Sequence, residues 1–211
     1  MTLRPFFRRL RRDSDGLALI EFAFVFPILL TLSLTGAELT NYISIKMRIS
    51  QLALMLADNA ARMGTGTPLA AKVITESDIN ELFAGANLQA GGLNLRSNGR
   101  IILSDVEQDP LNPGKFKIAW QRCYGLKTAH ASSYGVAPTG NLSGMGPPGR
   151  QVGAQDGNAT MFVEVYYVYK PLLTSRLTPG TQMVEIASMA VRERRDLSAI
   201  NNLAGAVLSA C

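Results

Sequence analysis

The stretch from Gly16 to Ala37 constrains this chain more than any other. It begins Gly16-Leu17-Ala18-Leu19-Ile20-Glu21-Phe22-Ala23-Phe24-Val25-Phe26-Pro27 and stays apolar to Ala37, with Glu21 its one charge. As a helix it covers roughly 30 Å, the thickness of a bilayer's hydrocarbon core. The sequence therefore predicts a transmembrane helix over residues 17–37. The pattern then turns amphipathic without a stop. Leu39, Tyr42, Ile45, Ile49, Leu52, Leu56, Ala60 and Met63 recur at helical spacing, and Asn41, Lys46, Arg48, Gln51, Asp58 and Arg62 lie between them. No Gly or Pro interrupts residues 38–63, so one long helix is expected, its first half in lipid and its second half on a soluble domain.

The formal charge of +5 gains its meaning from where it sits. Arg4, Arg8, Arg9, Arg11 and Arg12 precede the apolar run, against Asp13 and Asp15. Taking these from totals of 21 basic and 16 acidic side chains leaves 16 and 14 for residues 17–211. That near balance is no nucleic-acid footprint. An arginine block ahead of a span places the N-terminus in the cytoplasm and the bulk of the chain across the membrane.

Glu21 needs a reason, because a carboxylate within a span costs about 3 kcal/mol. The basic leader, Gly16 and Glu21 five residues later together resemble the class III leader of prepilins. There a membrane aspartic protease cuts after the Gly, here between Gly16 and Leu17. The Glu of an incoming subunit then neutralises a neighbour's new N-terminal amine, within lipid. More narrowly, Gly16 to Pro27 resembles the signature of TadE-like proteins, minor pseudopilins of tight-adherence (Flp, type IVb) pilus systems, with Glu38 as the polar residue closing the run. Phe22 stands where processed Flp-type subunits carry Tyr. The resemblance implies a single-pass protein of the bacterial inner membrane with its folded part in the periplasm, able to enter the pilus. It implies a site made of Gly16 and Leu17 for processing and of Glu21, Phe22 and Pro27 for assembly. The implied partners are prepilin peptidase, other pseudopilins, the major Flp-type pilin, the inner-membrane assembly platform and membrane lipid. No cofactor, metal or nucleic acid is implied.

Residues 1–16 then form a cytoplasmic leader, 17–37 the transmembrane helix, 38–63 its periplasmic continuation and 64–211 a periplasmic α+β domain. Gly64-Thr65-Gly66-Thr67-Pro68 stops the helix, and Leu69–Ile74 reads as a helical turn. Asp78 is placed to cap a short helix that Gly91-Gly92 ends. The period then falls to two. Residues 100–106 and 115–122 read as a hairpin around Pro110–Gly114. Residues 138–158, rich in Gly, Pro, Asn and Ser, read as a long mobile loop. Met161–Tyr169 carries large apolar residues on both faces and reads as a central strand, with Met183–Arg192 as its partner. Asp196 is placed to cap a final helix through Leu208. The expected fold is α+β and pilin-like, a long helix against an antiparallel sheet of about four strands. Looser resemblances to TadE-like proteins lie in Tyr167–Leu173, which runs into Pro-Leu-Leu, in Arg192–Arg195, and in Trp120–Cys123.

Cys123 and Cys211 are the only cysteines. In an exported domain a sparse pair reads as one disulfide, the alternative being two free thiols. Closing so long a loop stabilises by roughly 4 kcal/mol on the chain-entropy model.

Little else suggests chemistry. His130, the one histidine, sits in a Gly/Ser/Ala-rich loop and reads as a surface residue. Gly144-Met145-Gly146-Pro147-Pro148-Gly149 matches Gly-x-Gly-x-x-Gly, yet Pro147-Pro148 lack the N–H groups a pyrophosphate needs. Arg192, Glu193, Arg194 and Arg195 read as a solvated strand end. The chain thus reads as a substrate of an enzyme and not an enzyme. An uncleaved bitopic envelope anchor or interaction module is the alternative. A plain anchor with an incidental Glu21, or a signal peptide ending at Thr35 and Ala37, would also use the apolar run. An anchored exported enzyme is the remaining rival, and paired carboxylates in a cleft would favour it.

Overall fold

The computed structural model describes residues 16–67, 70–202 and 205–211. The five leader arginines, Arg4, Arg8, Arg9, Arg11 and Arg12, lie outside the described residues, as do Pro68 and Leu69. The architecture is α+β. Helix α1 runs unbroken over Leu17–Arg62. It is followed by α2 (Glu76–Ala90), a 3-10 turn (Gly91–Leu93) and the short α3 (Leu95–Asn98). Five strands complete it: β1 (Gly99–Gln108), β2 (Phe116–Tyr124), β3 (Thr139–Leu142), β4 (Ala159–Val168) and β5 (Gln182–Ala190). They form one sheet in the order β3-β2-β1-β4-β5. The chain divides into two compact units, residues up to Tyr42 with Pro171–Pro179, and Ile43–Lys170 with Gly180–Cys211.

The sheet unit follows from its residue pattern. β1 and β4 pair antiparallel from Gly99↔Tyr167 to Glu107↔Ala159 and are buried along nearly their whole lengths. β4 lies between β1 and β5 and is buried on both its faces, which explains large side chains on each. Val163, Val165 and Tyr167 line one face. Lys46 of α1 pairs with Glu185, which stands opposite Val165, so the second half of α1 lies on that face. There Ile49, Leu52, Leu56 and Ala60 are buried, and Ala53 and Ala57 let the helix approach closely. On the other face Phe162, Val106, Ile118 and Met145 form a second cluster, covered by Tyr134, Ala137, Leu142 and Val152. The chain between Gly125 and Asn158 is therefore a packed cover. β3 pairs with β2, Met145 bridges Val152, and Gly153 lies so close under the Phe116 ring that a Cβ would fall 2.1 Å from it. The expected mobile loop is corrected on these grounds.

Three local expectations also change. Residues 70–74 are extended, not helical: Thr65 bridges Val73, and Lys72 bridges Arg195. The cap of α2 is Thr75, whose hydroxyl accepts from the Asp78 N–H at 3.1 Å while Asp78 returns a bond to the Thr75 N–H at 2.9 Å. Asp78 is the third residue of a capping box and not the cap itself. No helix follows Asp196 among the described residues. That segment lies beside residues 72–76, with Asp196 N–H on the Lys72 carbonyl and Asn201 N–H on that of Ile74. Pairing with a distant backbone has overridden the local helical pattern.

Candidate functional site

The residues singled out for processing and assembly lie at the start of α1 and on its first half. Gly16 immediately precedes the helix, and its carbonyl accepts from the Ile20 N–H at 3.2 Å. Among the described residues a Cβ on Gly16 would meet nothing within 4 Å, so their packing does not require a glycine there. Leu17 is the first helical residue and is exposed. Glu21 shares its stretch of helix surface with Leu17, Ala18, Phe24 and Val25 at the flanking turns, an apolar setting for a carboxylate. Among the described residues no cation forms an ion pair with it. Phe22 is 59% exposed and stacks on Phe26 with ring centroids 5.1 Å apart.

Pro27 sits inside α1 without ending it. Its missing N–H leaves the Ala23 carbonyl without the usual helical donor, which helices in lipid tolerate. The Thr31 hydroxyl donates to the Pro27 carbonyl at 2.7 Å. From Leu17 to Ala37 nearly every side chain is exposed, and the helix is long and apolar enough to cross a membrane.

At the end of this apolar face the structure joins two residues that sequence reading left separate. Glu38 is 0% exposed. One of its oxygens accepts from the Leu172 N–H at 3.2 Å and the other from the Leu173 N–H at 2.8 Å. The polar residue closing the apolar run thus holds the Pro-Leu-Leu segment, 134 residues away. Nothing local in the sequence announces that contact. The two loose resemblances, Glu38 and Pro171-Leu172-Leu173, are its only trace.

The sheet unit holds the remaining polar chemistry. A cleft of about 630 Å³ is lined by Asp105, Glu107 and Asp109, by Lys117, Trp120 and Arg122, and by residues 196–200. Burial pushes the Asp105 carboxyl up to about 7, and the neighbouring Glu107 charge adds to the rise, opposed by Arg195 and Trp120. Glu107 pairs with Lys117 at 2.9 Å. The Asn112 side chain and the N–H groups of Asn141 and Leu111 hold Asp109 below the usual carboxylate range. Glu76 forms a bidentate pair with Arg122. Sequence reading missed this cleft, because its acids look like ordinary polar positions of an alternating strand.

Two expectations about single residues are corrected here. His130 is not a surface residue. Its Nε2 lies 2.9 Å from a carboxylate oxygen of Glu164, and its ring stacks on Tyr166 at 4.1 Å. Glu164, fully buried, also accepts from the hydroxyls of Ser132 and Ser133 and from the Ser133 N–H. The serines bond the acid and not the imidazole, so the set ties a loop to β4 and is not a nucleophilic triad. Arg195 is not solvated either. It is buried, and its guanidinium donates to the carbonyls of Ala60, Ala61 and Met63, the open end of α1. Burial lowers its basicity, opposed by Asp105 and Glu193.

Cys123 and Cys211 form a disulfide across 88 residues, and the Cys123 N–H donates to the Ser209 carbonyl at 2.8 Å. Among the described residues no three His, Cys, Asp or Glu side chains gather as a metal cluster. The chain matches no family model, no curated protein and no solved structure.

Proposed function

We propose that this protein is a non-enzymatic minor pseudopilin of the TadE-like kind, serving assembly of a tight-adherence pilus from the bacterial inner membrane. One observation carries the reading: a single helix, Leu17–Arg62, whose first half is exposed and apolar around one acid and whose second half is buried on a sheet. That division suits a subunit that stands in lipid before assembly and packs its apolar half against neighbours afterwards. Glu21 is then the partner of a neighbouring N-terminal amine, because neither charge is tolerated alone in hydrocarbon. Gly16, which packing among the described residues does not need, suits a protease pocket that admits only a small residue. The N-terminus lies in the cytoplasm and the sheet unit in the periplasm, where the disulfide persists. Prepilin peptidase, sister pseudopilins, the major pilin and the assembly platform are the partners this reading requires.

Intact-mass measurement of the mature chain tests it. Wild type begins at Leu17, whereas Gly16→Trp retains the leader. Identical uncut masses would leave the bitopic anchor as the better account. Glu21→Ala is cut normally yet fails to support pili.

The cleft favours one rival, an anchored enzyme, because Asp105 and Glu107 lie side by side within it. The arrangement falls short in two respects. Glu107 is neutralised by Lys117, and the one histidine serves Glu164 instead. Asp105→Asn leaves pilus formation intact under the structural reading, and its loss would favour the rival.

A further inference from the structure

The loop Pro171–Pro179 groups with the first part of α1 in one compact unit, and its position is fixed by Glu38. About twenty helical residues cross the hydrocarbon core, so a span entered near Leu17 leaves it near Ala37. Glu38 is the next charged residue, and both its oxygens are taken by consecutive N–H groups of the loop. Leu172 and Leu173 are therefore held at the depth where hydrocarbon gives way to headgroups. Yet their side chains point away from the chain: Leu172 is 65% exposed and Leu173 51%. Two adjacent large apolar side chains on a fixed loop are costly in water and favourable against acyl chains. The loop continues into a short 3-10 turn, Ser175–Leu177, carrying an exposed Arg176. Its polar groups suit phosphate headgroups, as its leucines suit the upper acyl chains.

We infer that Pro171–Pro179 is a lipid-binding loop that inserts Leu172 and Leu173 into the membrane boundary beside the spanning helix. This rests on reading residues 17–37 as a span. The occupant is the bilayer, because the leucines are continuous with the apolar face of α1 through Glu38. The loop gives the chain a second hold on the membrane, 134 residues from the first in sequence and adjacent to it in space.

The test uses the full chain in phosphatidylcholine–phosphatidylglycerol vesicles containing brominated lipids, with a tryptophan as depth probe. Leu172→Trp and Leu173→Trp are suitable, since both sites are exposed, and the wild type with its single Trp120 sets the baseline. Phe24→Trp, in the middle of the span, reports on the parent reading. The expected result is blue-shifted emission from either loop probe, with most of the added intensity lost to lipids brominated near the headgroup. Phe24→Trp responds instead to bromines deep in the chains. Loop probes quenched by aqueous iodide and untouched by bromolipid, with Phe24→Trp still quenched, would overturn the loop proposal and leave the span standing. Blue-shifted loop probes that bromolipid does not reach would mean that protein covers the leucines, which also overturns it. An unquenched Phe24→Trp would overturn the span itself.

Discussion

The two halves of α1 share one backbone and obey opposite rules. From Leu17 to Ala37 almost every large side chain is exposed, whereas Ile49, Leu52, Leu56 and Ala60 are buried. The first half is apolar all round, with Phe22, Phe24, Phe26, Ile28 and Leu32 on different sides of the helix. The second buries one stripe and leaves outside it Lys46, Arg48, Gln51 and Arg62 together with exposed Ile43, Met47 and Leu54. A helix made for lipid needs no preferred face, and one made for a sheet needs only one. The change falls between Ala37 and Ile49, where Leu39, Tyr42 and Ile45 are half-buried.

Four measurements would break or sharpen this contrast. The largest effect belongs to the sheet unit alone. Cys123→Ser with Cys211→Ser lowers its stability by about 4 kcal/mol in urea unfolding while the helicity of the span persists. If both halves melted together, the contrast would lose its meaning. Next, Leu56→Ala costs roughly 3 kcal/mol by the same measurement, whereas Leu29→Ala in detergent costs the sheet unit nothing. Equal losses would show that the first half also packs within the chain.

The third depends on pH. The Asp105 carboxyl titrates at about 7 in the folded chain against 3.8 ordinarily, so folding favours its protonated form. Stability from this group is complete below the ordinary value and is lost as pH rises through about 7. Asp105→Asn therefore gains on the wild type as pH rises from one value to the other, keeps the gain above about 7, and the gap closes in acid. A pH-independent difference would count against the buried proton. The smallest effect is local. Glu38→Gln keeps one acceptor of two and weakens the hold on Leu172 and Leu173 by about 1 kcal/mol. Hydrogen exchange at those two amides should quicken while the rest of the chain keeps its protection.

Sequence periodicity disclosed the long helix, four of the five strands and the pairings of β1 with β2 and of β4 with β5, because each of those strands carries its own apolar pattern; the central pairing of β1 with β4 was not foreseen. β3 was hidden because Thr139–Leu142 has almost no hydrophobic alternation and pairs only through its backbone with β2. Residues 196–202 and 205–208 were misread because Asp196 is a residue type that caps helices, while the Lys72 and Ile74 backbones offered partners that no local rule reveals. The proposal for Gly16, Glu21 and Pro27 rests on motif spacing, which is local. The Glu38 contact and the cleft around Asp105 were not legible, since each joins residues brought together only by the topology.

The disulfide sets a timetable. In a chain threaded across a membrane from its N-terminal end, Cys123 emerges well before Cys211, 88 residues behind it. At ordinary synthesis rates that interval is on the order of 5–20 s. During it the β1–β2 hairpin can form while its thiol stands unpaired among oxidants. A foreign partner captured in that interval would occupy the sulfur that Cys211 must reach, and the Ser209 carbonyl could not dock on β2. Under the proposed topology, delayed closure is thus a point at which the redox conditions met by the emerging chain, and not the finished fold, decide how many copies become competent.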